Sequence, residues 1–113
     1  MRNLGANQKL FDMSDEPAAI RISYGDSLFG QQAIIAPRLV EAGTPFVRLN
    51  CGWWDSHGEN IDIHATPVPD LDKVMSAFLD GLDDRGLLDH TLMVTFAEMR
   101  RTAKINNMRG RDP

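Results

Sequence analysis

Apolar residues recur at Leu71, Val74, Met75, Phe78, Leu79 and Leu82, with polar residues between them. Steps of three and one place all six on one face of an α-helix. Asp70 and Asp72 suit the positive end of that helix, and Gly86 suits its stop. Two apolar runs flank it, at residues 46–50 and 91–97, and their pattern predicts buried strands. Strand, helix, strand predicts an α/β fold: a βαβ unit with parallel strands, a right-handed crossover and flanking helices.

The chain before the first strand reads as helices. A short one is expected around residues 8–13. Ser14-Asp15-Glu16-Pro17 reads as the start of the next, running to about Ser23. Asp26 or Ser27 can cap a third, to about Ala42, whose apolar face is Leu28, Phe29, Ala33, Ala36, Leu39 and Val40. Gly43 ends it. Pro37 lies inside it and predicts a kink, because proline donates no hydrogen bond and crowds the carbonyl four residues back.

Composition narrows the class. Hydrophobic residues are 42% and charged residues 25% of 113, which is globular composition. A net charge of −4 argues against nucleic acid as the partner. No apolar stretch suits a membrane span, and polar residues near the N-terminus interrupt any signal-peptide core. The compartment is left open. Cys51 is the single cysteine, so no disulfide forms within the chain.

Parallel strands send the loops that follow them to one edge of the sheet, where open α/β sheets bind ligands. The loop 51–66 and the segment 98–113 are therefore expected to face each other. The loop carries Asp55-Ser56-His57, a carboxylate and an imidazole two residues apart. Those are ligand types of a divalent metal, and a third would come from Glu98 or Asp112. The alternative is structural, with both side chains satisfying the loop's own backbone. The basic residues Arg100, Arg101 and Lys104 read either as solvated surface or as a clamp for phosphate or sulfate. Cys51 reads as a small buried hydrophobe, Trp53 and Trp54 as a plug at the sheet edge, and His64 and His90 as surface residues. Two parallel strands do not cover their own edges, so the sheet is expected to need further strands, from a missing N-terminal part or from a partner chain.

Seven motifs in order carry a family resemblance. They are Tyr24-Gly25-Asp26-Ser27-Leu28-Phe29-Gly30-Gln31, Arg38-Leu39-Val40-Glu41-Ala42-Gly43, Pro45-Phe46-Val47, Gly52-Trp53-Trp54-Asp55-Ser56-His57, Arg85-Gly86-Leu87-Leu88-Asp89, Arg101-Thr102-Ala103-Lys104-Ile105-Asn106 and Gly110-Arg111-Asp112. Together they resemble the bacterial DUF1501 proteins, relatives of sulfatases and alkaline phosphatases, from about Phe11 to the end of the chain. The resemblance implies one partial domain, residues 1–113, matching the C-terminal part of longer and often exported proteins. It implies part of an alkaline-phosphatase-like sandwich and a hydrolase of sulfate or phosphate esters, incomplete as a catalyst. Asp55, His57 and Asp112 would hold a divalent cation such as zinc, calcium or manganese. Glu98 would be a further ligand or a base, and Arg101 would bind the ester oxyanion. Lys104, Asn106 and Arg111 would also bind the anionic ester. The sequence departs from the family pattern at Ala97, Met99, Arg100 and Ala103, and Pro113 stands where the family has histidine. The alternative is a non-catalytic module, or a truncated remnant, that docks onto another chain.

Overall fold

The computed structural model describes residues 4–52, 54–97 and 101–112. Among the described residues five α-helices follow one another: α1 (Leu4–Phe11), α2 (Ala18–Tyr24), α3 (Leu28–Glu41), α4 (Asn60–His64) and α5 (Pro67–Asp83). A 3₁₀ turn, Leu88–His90, follows α5. No strand forms among the described residues, so the expected α/β fold with a βαβ unit is corrected to a helical one.

The reason lies in what a strand requires. A helix closes its hydrogen bonds within itself, whereas a strand exists only through a neighbour's ladder. Residues 46–50 and 91–97 share no backbone hydrogen bond among the described residues. They run as irregular segments, with Phe46 78%, Leu92 88% and Phe96 78% exposed. Only Leu49 of the first run packs onto the core.

The helices follow local rules. Ser27 caps α3, its hydroxyl accepting from the Gly30 N–H at 3.0 Å. Both long helices end in the same motif. At α3, Gly43 N–H reaches Val40 O and Thr44 N–H reaches Leu39 O. At α5, Gly86 N–H reaches Asp83 O and Leu87 N–H reaches Leu82 O. Each uses a glycine at positive φ, 83° for Gly43 and 64° for Gly86. Helix α5 begins before Asp70, because Pro67 has its φ preset for a first turn. Pro37 sits inside α3 and is buried.

Helices α2, α3 and α5 pack pairwise. Their shared core is Tyr24, Ala33, Ile34, Val74 and Ala77, with Met13, Ile20, Phe29, Leu49 and Phe78 around it. The buried face of α5 is Val74, Ala77, Gly81 and Leu82, rotated from the expected stripe so that Leu79 is 37% exposed. A buried ion pair ties the loop before α2 to α3: Arg38 pairs with Glu16, which is 8% exposed. Arg21 Nε also donates to the Glu16 carbonyl at 3.2 Å. No described helix is long and apolar enough to cross a membrane.

Candidate functional site

The described candidate residues lie outside that core, where the loop 54–60 meets the segment 101–112. Backbone hydrogen bonds hold the two together. Glu59 N–H donates to Met108 O at 2.9 Å, Asn60 N–H to Arg109 O at 2.8 Å, and Arg111 N–H to Ser56 O at 3.0 Å. Gly58 and Arg109 form an antiparallel bridge. Within the tail, Thr102 N–H donates to Asp112 O at 3.0 Å and Asn106 N–H to Gly110 O at 2.9 Å. Gly110 is buried against the His57 carbonyl, where a Cβ would lie 2.1 Å from both the carbon and the oxygen. Only glycine permits that approach.

This clasp brings three of the expected site residues together. Arg101 pairs with the Asp55 carboxylate, and its side chain is 16% exposed. Asp55 Oδ2 lies 3.3 Å from His57 Nε2. Arg101 Nη1 lies 3.3 Å from His57 Nδ1 and donates to Arg111 O at 3.0 Å. The tautomer that satisfies both ring contacts carries its proton on Nε2, donates to Asp55 and accepts from Arg101 at Nδ1.

The other expected residues are arranged differently. Asp112 faces Asn106, whose Nδ2 donates to Asp112 Oδ1 at 2.9 Å. Lys104, Asn106 and Asp112 line an open cleft of about 310 Å³ together with Thr102, Ile105 and Asn107. Arg111 is half-buried, and its Nε is buried without a hydrogen-bond partner among the described residues. The sequence-based roles of Glu98, Arg100, Trp53 and Pro113 lie outside the described residues. Cys51 is half-buried and free.

Among the described residues no three His, Cys, Asp or Glu side chains are grouped to hold a metal. Asp55 and His57 supply two donors, and the Arg101 guanidinium already neutralises the carboxylate. In this cluster the Arg101 guanidinium is the enclosed member, while the Asp55 and His57 side chains are about half exposed, at 50% and 58%.

His64 is a residue the sequence reading placed on the surface. It is half-buried, and its ring stands 5.7 Å from that of Trp54, tilted by 31°. Its Nδ1 lies 2.6 Å from Asn60 O and its Nε2 lies 3.2 Å from Trp54 O. It therefore braces the loop that carries Asp55. The signal was its place four residues after Asn60, one turn along a helix that the reading took as loop.

A family model described as "Protein of unknown function (DUF1501)" matches residues 1–112. No curated protein matches the chain. No solved structure matches it either.

Proposed function

This chain belongs to the DUF1501 family, and on that footing we propose that it carries the ester-binding part of a hydrolase acting on sulfate or phosphate esters. The observation that supports this reading is the grouping of Arg101 with Asp55 and His57, with the Arg111 backbone carbonyl accepting from Arg101. Arg101 and Arg111 would take the oxygens of the ester. Asp55 fixes the position of Arg101 and accepts from His57 Nε2, which leaves His57 Nδ1 to accept from Arg101 Nη1 and so orient the guanidinium. Ser56 Oγ is directed at Asn60 Oδ1, 2.7 Å away, and not at a free base. The reading therefore assigns binding and orientation to this cluster, and not the attacking group. A divalent cation at Asp55 and His57, whether zinc, calcium or manganese, would require Arg101 to release the carboxylate and a third donor to join.

The test is direct. Sulfate and inorganic phosphate are titrated separately into the chain while the amide resonances of residues 55–58 and 101–112 are followed. Saturable shifts are expected there, with affinity reduced about tenfold in Arg101→Ala. Absence of saturable shifts overturns the reading.

A second reading rests on a different observation. Phe46, Leu92 and Phe96 expose large apolar surface, as a module that docks onto another chain would. Turnover of an aryl sulfate or aryl phosphate by this chain alone would reject a purely non-catalytic role.

A further inference from the structure

Asn106 was expected to bind the ester, but its hydrogen-bonding capacity is already used. The carboxamide Nδ2 donates to His57 O at 3.0 Å and to Asp112 Oδ1 at 2.9 Å. The Oδ1 accepts from Met108 N–H at 3.0 Å and from Gly110 N–H at 2.9 Å. A carboxamide offers two donor hydrogens and two acceptor lone pairs, so nothing is left for a ligand. Its orientation is unambiguous too. A flipped amide would set oxygen against a carbonyl and a carboxylate, and NH₂ against two N–H groups.

We propose that Asn106 is the positioning residue of this site: its amide staples the tail to the loop and thereby sets His57 and Arg101 side by side. The two ends of the carboxamide do separate jobs. The oxygen closes the turn 106–110 and presents Gly110 to the loop. The NH₂ crosses from that turn to the backbone of His57 and the side chain of Asp112. The second job is the one the site depends on, because Arg101 and His57 lie on the two segments that it joins. Glutamine is one methylene too long to make all four bonds from this backbone position. Aspartate keeps the acceptor half and turns the donor half into a repelling oxygen. The inference rests on the ester-binding reading for its function, but its geometry is independent of that reading.

The two halves are separable by experiment. Asn106→Asp, Asn106→Ala and the unaltered 113-residue chain are compared by amide hydrogen exchange and by sulfate titration. In Asn106→Asp the Met108 and Gly110 amides keep their protection, while the Asn60 and Arg111 amides, which bond across the clasp, lose about tenfold or more. Sulfate affinity falls by a similar factor, and the amides of α2, α3 and α5 keep their protection because Asn106 lies outside the helical core. In Asn106→Ala all four amides lose protection. Should Asn106→Asp fail to fold, the Ala variant decides by whether the cross-clasp amides open. Wild-type protection at Asn60 and Arg111 in a folded variant overturns the proposal, as does unchanged sulfate affinity. If the unaltered chain binds no sulfate, the ester-binding reading fails, and the exchange result still decides whether Asn106 is the staple.

Discussion

The Cα of Gly110 lies against the carbonyl of His57 so closely that no side chain fits between them; a Cβ would stand 2.1 Å from the carbonyl carbon. Two backbones in contact have no flexible group that can yield. Gly110→Ala is therefore expected to open the clasp, at a local cost of about 1–3 kcal/mol. The core does not include Gly110, so the thermal midpoint should move little while the Arg111 amide loses its protection. A crystal structure of the variant with Arg111 N–H still on Ser56 O would contradict this.

Arg101 and a divalent cation compete for one carboxylate. With Arg101 present, zinc is expected to bind weakly. Arg101→Ala leaves Asp55 and His57 free, so zinc affinity should rise, and Arg101→Ala combined with His57→Ala should remove the gain. Calorimetric titration reads both. Tight zinc binding by the unaltered chain, lost on Asp55→Ala, would mean that the guanidinium gives way to metal.

Tyr24 offers a pH-dependent prediction. Burial raises its phenol from the ordinary 10.0 to about 12, against the opposing pull of the Arg85 charge. The folded state thus keeps a proton that the unfolded chain loses first. Stability is full below pH 10 and falls as pH rises from 10 through 12, by on the order of 2 to 3 kcal/mol. Urea unfolding across that window should show the fall. Tyr24→Phe should flatten it, and an equally steep fall in that variant would remove Tyr24 as its source.

Arg38 neutralises a carboxylate that is nearly enclosed. Arg38→Ala leaves Glu16 buried without its partner and should cost about 3–5 kcal/mol. The pair replaced together, as Glu16→Gln with Arg38→Met, should cost less than the single change. Urea midpoints at neutral pH give the comparison. A single variant as stable as the parent would show that Glu16 reaches water instead.

How far these features could be read beforehand depended on whether their causes were local. Helices α3 and α5 were legible nearly end to end. Ser27, Gly43 and Gly86 mark their ends through bonds to residues at most five positions away. The runs at 46–50 and 91–97 were misread, since apolar character alone does not provide the neighbour that makes a strand. The meeting of His57 with Arg101 was expected from parallel strands, yet it arises from the Gly58–Arg109 bridge and the Asn106 staple. Its written trace was an asparagine, Asn106, four residues before a glycine, Gly110.

Composition, caps and periodicity thus determined the helices and the residue types available for chemistry, because each is a property of a few consecutive residues. The tertiary structure decided which face of α5 is buried, that Asp55 is paired with Arg101, and that Asn106 is used up in holding two segments together. Those outcomes depend on distances between residues far apart in the chain. Such distances follow from close packing and hydrogen-bond closure, which no local pattern encodes.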